Sequence, residues 1–148
     1  MFDPVPTEYK GIVFRSKSEA LVARAFDVEG GLSWLYEPQW LCDDDGWIPD
    51  FFGLFGGDEK KYFPAVIEYK PSLPTETYLK KLEKRFIKIS DQYKFLCMCI
   101  YGSFYEEPYQ IEFLTMHKGK LNRDGSVLFY EEVVKESLKY RFDLRGVS

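Results

Sequence analysis

Two apolar runs joined by a turn-rich connection restrict this chain more than any other feature. Trp47-Ile48-Pro49-Asp50-Phe51-Phe52 reads as a strand continuing to about Phe55, and Val66-Ile67-Glu68-Tyr69-Lys70 closes a second strand that begins at Phe63. Between them lies Gly56-Gly57-Asp58-Glu59-Lys60-Lys61, a composition suited to a turn. A hairpin folded about Glu59 pairs positions whose numbers sum to 118, which sets Asp50 opposite Glu68. Glu68 and Lys70 are two residues apart, so they project from one face of an extended strand. Two ionised carboxylates about 4 Å apart repel by roughly 4 kcal/mol at an effective dielectric near 20. Such a pair persists if one proton is shared or a cation lies beside it. Lys70 is one cation, and a hard divalent metal is a better one.

The remaining elements follow from capping and periodicity. Ser16-Lys17-Ser18-Glu19 opens a helix running to about Glu29, with Leu21, Val22, Ala25, Phe26 and Val28 as its apolar side and Gly30-Gly31 as its stop. Ser33 to Glu37 reads as a short strand ended by Pro38. Leu79, Leu82, Phe86 and Ile89 recur at helical spacing, which predicts a helix over about Glu76 to Ile89. Strands are expected at Lys94 to Ile100 and Tyr109 to Met116, with Asp124-Gly125 as a turn. Tyr130, Val134, Leu138 and Phe142 form an i, i+4 apolar row, which predicts a C-terminal helix. The order is helix, three strands, helix, strand, strand, helix. An α/β fold is expected, with a mixed central β-sheet flanked by helices and one domain spanning 1–148.

With that order in place, the chain resembles the PD-(D/E)XK nuclease superfamily. The residues carrying the resemblance are Pro49-Asp50, then Glu68-Tyr69-Lys70 after an apolar run, with Glu19 on the preceding helix. The resemblance covers about residues 10–100. It implies a restriction-endonuclease-like core (α-β-β-β-α-β), with about 101–148 as a strand and helix extension. It also implies that Asp50 and Glu68, helped by the Tyr69 backbone carbonyl, bind Mg²⁺, with Mn²⁺ able to substitute. Lys70 would orient the attacking water or stabilise charge on the phosphorane. The implied activity is a Mg²⁺-dependent DNA endonuclease. Pro71 directly after the motif is similar to transposon-end and phage head-completion nucleases.

Each of these residues also has a plainer explanation. Asp50, Glu68 and Lys70 could form ordinary cross-strand ion pairs, worth about 0.2–1 kcal/mol each, but they interrupt apolar runs and so should be partly buried. Glu19 is explained equally well by a capping box, Ser16-x-x-Glu19, in which its side chain bonds back to the Ser16 N–H. Lys80, Lys81, Lys84, Arg85 and Lys88 are either a solvated helix face or a set of contacts to a DNA backbone. Asp43-Asp44-Asp45 reads as a turn rather than a metal loop, and His117 has no nucleophile near it in sequence.

Bulk composition narrows the setting. A net charge of −4 argues against coating nucleic acid by bulk electrostatics. From Lys60 to Lys94, however, nine Lys/Arg stand against four Asp/Glu, a balance of +5, so the remainder carries −9. A local basic face on an acidic body is therefore expected, together with a homodimer or a protein partner that adds DNA affinity. The acidic balance also supports an alternative: a structural or partner-binding component of a phage or transposition complex that keeps the fold. No apolar stretch approaches the roughly 20 residues of a membrane span, and Met1-Phe2-Asp3-Pro4 lacks the features of a signal peptide. A cytoplasmic, reducing setting is expected. Three cysteines and one histidine do not supply four zinc ligands at finger-like spacing.

Overall fold

The computed structural model describes residues 4–30, 32–56, 62–122 and 126–144. Among the described residues the architecture is mixed α/β, a mixed central sheet with three helices. The first two strands, β1 (Thr7–Tyr9) and β2 (Ile12–Phe14), form a tight hairpin. Lys10 and Gly11 between them both take positive φ, 54° and 79°, as a two-residue turn matched to strand twist requires. Helix α1 (Lys17–Glu29) follows immediately, so β2 delivers Arg15 and Ser16 to the helix start.

Strand β3 (Leu32–Tyr36) then pairs antiparallel with β4 (Phe51–Gly56), and β4 with β5 (Tyr62–Lys70). The β4–β5 register runs from Phe51 opposite Ile67 to Gly56 opposite Tyr62, the pairing expected of a hairpin about Glu59. Residues 57–61, where the turn itself is expected, lie outside the described residues, as do Gly31 and the Asp124-Gly125 turn. One boundary differs. Trp47, Ile48 and Pro49 are not strand; β4 begins at Phe51, after a 3-10 turn at Gln39–Leu41 and a loop. Asp43 accounts for the loop, because its carboxylate accepts from the Asp45 and Trp47 N–H groups at 2.9 Å each. The Asp43-Asp44-Asp45 stretch is thus a side-chain-capped turn.

Helix α2 (Glu76–Tyr93) carries the chain across to β6 (Leu96–Tyr101), which lies parallel to β5. The helix runs one turn past Ile89. It stops at Lys94, whose left-handed backbone (φ 61°) lets its N–H bond the Ser90 carbonyl. Leu79, Leu82, Phe86 and Ile89 are all buried on one side, where they meet Val66, Cys97, Cys99 and Leu114 of the sheet. Each such side chain contributes about 1.5–3 kcal/mol by leaving water. On the opposite face Leu21, Val22, Ala25 and Phe26 of α1 pack on Phe51, Ala65, Ile67 and Ile100. Apolar burial on both faces makes β5 and β6 nearly continuous apolar runs, as a central parallel pair should be.

Beyond β6 the chain holds more strands than expected. Strand β7 (Ile111–His117) pairs with β6, with the short β8 (Lys120–Leu121), and with β9 (Ser126–Phe129) across an irregular register. Helix α3 (Glu131–Leu138) is shorter than the apolar row implied. Tyr130 is its N-cap, and Phe142 lies past its end, edge-on to Tyr9 with centroids 5.7 Å apart. The last strand, β10 (Asp143–Leu144), joins β1 and β2 in a separate three-stranded sheet. Phe142 is half-buried against the core and reaches it from a strand end. Among the described residues, no helix is long and apolar enough to cross a membrane.

Candidate active site

Strand β5 outlasts β4 at the end where β4 begins. There the sheet opens into a cleft of about 550 Å³ between the start of α1 and the start of α2. Asp50 stands just before β4 and Glu68 lies opposite it by extension of the pairing. The Asp50 N–H donates to Glu68 Oε1 at 3.1 Å, and the Tyr69 N–H donates to Asp50 Oδ2 at 2.8 Å. In an antiparallel pair a residue turns its N–H and C=O to the same neighbour, so the Tyr69 carbonyl faces this edge too. Lys70 lines the same cleft, its ammonium 4.8 Å from the centre of the Tyr78 ring.

Both carboxylates are almost completely buried, Asp50 at 3% exposure and Glu68 at 4%. Burial raises the Asp50 pKa well above the carboxylate range, and the neighbouring negative charges of Glu68 and Glu19 push it the same way. Burial raises Glu68 as well, opposed by the Lys70 charge and by bonds from the Asp50 N–H and Tyr78. Both groups are thus held where their ionised forms are disfavoured and a cation is wanted. Hard divalent cations take oxygen ligands, commonly one or two carboxylates with water and phosphate completing the shell. Asp50, Glu68 and the Tyr69 carbonyl are a donor set of that kind. Among the described residues, no three of His, Cys, Asp and Glu gather closely enough to hold a metal ion by themselves.

Glu19 divides its two expected roles. Its backbone N–H is capped by Ser16 Oγ at 3.1 Å, so half of the capping box forms. Its carboxylate, instead of turning back to Ser16, lines the cleft and accepts a short hydrogen bond from the Tyr36 hydroxyl.

The basic row on α2 is split as well. Lys80, Lys81, Lys84 and Lys88 are exposed, whereas Arg85 is half-buried and stacks over Trp47 at 5.0 Å on the cleft wall. Cys97 and Cys99 are buried beneath α2, and burial pushes both thiols up to about 12.

Three side chains at the cleft have no place in the sequence reading. Tyr78, in the first turn of α2, donates its hydroxyl to Glu68 Oε2 at 3.0 Å. Tyr36, at the end of β3, bridges Glu19 and Arg15. Arg15 places Nη2 2.7 Å from Asp50 Oδ1 and Nε 2.9 Å from Glu37. Arg15 precedes the Ser16-x-x-Glu19 motif directly, and that adjacency was the available signal. The tyrosines carried none, because aromatic residues are common in strands and helix starts alike. No protein-family model matches the sequence, and no curated protein matches it.

Proposed function

We propose that the chain is a Mg²⁺-dependent nuclease of the PD-(D/E)XK superfamily, with a restriction-endonuclease-like core, acting as a DNA endonuclease. The observation that carries this reading is the burial of Asp50 and Glu68 side by side, with Lys70 on the same cleft. Burying two adjacent carboxylates is unfavourable unless cations compensate them; Arg15 meets Asp50 and the Lys70 charge favours ionised Glu68, and one divalent ion bound by both acids would compensate the pair directly. The run from α1 through β3, β4, β5 and α2 to β6 has the element order of that superfamily.

Asp50, Glu68 and the Tyr69 carbonyl hold the ion. When bound, Mg²⁺ acidifies water and neutralises charge on the phosphate. Lys70, on the same strand face as Glu68, presents a compact positive charge where negative charge grows on the phosphoryl oxygens. Tyr78 fixes the orientation of Glu68 and lies beneath Lys70, tying metal ligand and ammonium to one helix. Glu19 adds negative charge at the cleft without joining Asp50 and Glu68 as a third close ligand. Arg85 and the exposed Lys80, Lys81, Lys84 and Lys88 supply backbone-phosphate contacts that position DNA without reading sequence. The setting is cytoplasmic.

A second reading, a partner-binding component of a phage or transposition complex, draws on a different observation. Leu35 on β3 and Leu54 on β4, 52% and 39% exposed, share the face of the sheet that carries Phe52, and Trp40, 49% exposed, packs edge-on to Phe52 beside them. Tyr93 at the end of α2 meets Trp40 edge-on, and β3 is an outermost strand of the sheet, so a partner or second subunit at that edge would add the DNA affinity the acidic body lacks.

Cleavage of plasmid, linear and branched DNA with Mg²⁺ or Mn²⁺ separates the two readings. The nuclease reading expects metal-dependent nicking that is lost in Asp50→Ala and in Lys70→Ala. Nicking that survives both substitutions removes the site assignment. Absence of cleavage on every substrate, with a stable protein complex, favours the second reading.

A further inference from the structure

Arg15 does work at this cleft that the roles of Asp50, Glu68 and Lys70 do not include. Asp50 is already fixed from two directions: its N–H donates to Glu68, and its Oδ2 accepts from the Tyr69 N–H. Holding it in place needs nothing more. Its other oxygen, Oδ1, receives the Arg15 guanidinium at 2.7 Å. The Arg15 side chain is 59% exposed while that of Asp50 is 5% exposed, so the cation comes in from the solvent side onto a buried anion. Three further groups hold the guanidinium at the cleft mouth: Glu37 at 2.9 Å, the Tyr36 hydroxyl at 3.3 Å and Glu19 at 3.7 Å. Releasing Arg15 from Asp50 would therefore leave it anchored nearby.

We infer that Arg15 is an exchangeable counter-ion that couples the metal to the substrate. With Asp50 unmetallated, Arg15 neutralises it. A divalent cation bound through Asp50 competes with the guanidinium for Oδ1, because two positive charges on one oxygen repel strongly in a partly buried cleft. The displaced guanidinium, still held by Glu37, takes a substrate phosphate oxygen. Its planar fork of donors matches phosphate as well as it matches carboxylate. Metal binding then favours nucleic-acid binding, and linkage requires nucleic acid to favour metal binding by the same factor. This inference rests on the reading of Asp50 as a metal ligand.

The test is Mn²⁺ affinity, followed by the electron paramagnetic resonance signal of free Mn²⁺, for wild type, Arg15→Gln and Arg15→Ala. Circular dichroism confirms that the variants fold. Without DNA, both variants should bind Mn²⁺ about tenfold more tightly than wild type, equivalent to about 1.4 kcal/mol of lost competition. Adding a short phosphorothioate-linked duplex, which resists cleavage, should tighten Mn²⁺ binding by wild type more than by the variants. Equal or weaker Mn²⁺ binding by the variants overturns the role of Arg15 and leaves the metal site standing. Equal tightening by the duplex in all three proteins overturns the phosphate exchange. Failure of every protein to bind Mn²⁺ overturns this inference and the nuclease reading together.

Discussion

Asp50 and Glu68 are bonded through the backbone of one to the side chain of the other, the Asp50 N–H donating to Glu68 Oε1 at 3.1 Å. Two acids that should repel are thereby held in register at the end of a hairpin, with the Asp50 carboxylate itself fixed by the Tyr69 N–H. Their shared position is the source of the expectations that follow.

Replacing Glu68 by Gln should stabilise the protein while abolishing cleavage. Glutamine keeps the acceptor for the Asp50 N–H and can still meet the Tyr78 hydroxyl, but it removes a buried charge. A gain of about 1 kcal/mol corresponds to a rise in Tm of roughly 2–5 °C for a domain of this size. Thermal melts in the presence of a chelator read this directly, and a lower Tm contradicts it.

The pH dependence of stability has a defined sign. Burial raises both carboxylates above their ordinary values of 3.8 and 4.5, so the native state binds protons more readily than the unfolded chain. Metal-free protein should therefore gain stability as pH falls from neutral through the raised values, and lose it as pH rises through them. In Glu68→Gln this slope should be smaller. Urea titrations with chelator across that range measure it.

Asp27 should behave in the opposite way, far from the cleft. Burial alone would raise its pKa, but Lys10 at 2.8 Å, the Tyr9 hydroxyl and Trp34 Nε1 at 3.0 Å outweigh that and lower it below 3.8. Its stabilisation is complete above its unfolded value and is lost as pH falls through the lowered native one. Asp27→Asn should be about 1–2 kcal/mol less stable at neutral pH, with the difference shrinking in acid. A constant difference across pH contradicts this account.

Tyr78→Phe should leave the fold intact and reduce cleavage by about 10–100-fold, the usual range for a group that orients a metal ligand. Wild-type rates in this variant would mean that the Tyr78–Glu68 bond does not matter to the chemistry.

Replacing Lys80, Lys84 and Lys88 together by Gln should weaken DNA binding uniformly across sequences. The slope of log affinity against log salt should fall by about 0.9 for each lost phosphate contact. An unchanged slope would return the row to a solvated helix face.

The central part of this design was legible in the chain because strand geometry is periodic. A period of two puts Glu68 and Lys70 on one face, and a hairpin about Glu59 gives the register observed from Phe51–Ile67 to Gly56–Tyr62, whose extension sets Asp50 opposite Glu68. Helix α2 was legible for the same reason, through Leu79, Leu82, Phe86 and Ile89. The β1–β2 hairpin was not, because three-residue strands around Lys10-Gly11 are too short to show alternation. The start of β4 was misplaced because Trp47 and Ile48 are apolar yet belong to a loop held by the Asp43 side chain. Arg15, Tyr36 and Tyr78 stayed hidden for a further reason. Their roles arise from contacts 10 to 35 residues away in sequence, which no local pattern records.

The most direct measurement is anomalous diffraction from crystals soaked in Mn²⁺. A single peak is expected at the cleft, with oxygens of Asp50 and Glu68 and the Tyr69 carbonyl within about 2.0–2.3 Å of it and Arg15 withdrawn from Asp50. Metal bound elsewhere, or a cleft that stays free of Mn²⁺ in protein that still cleaves DNA, would contradict the assignment of Asp50 and Glu68.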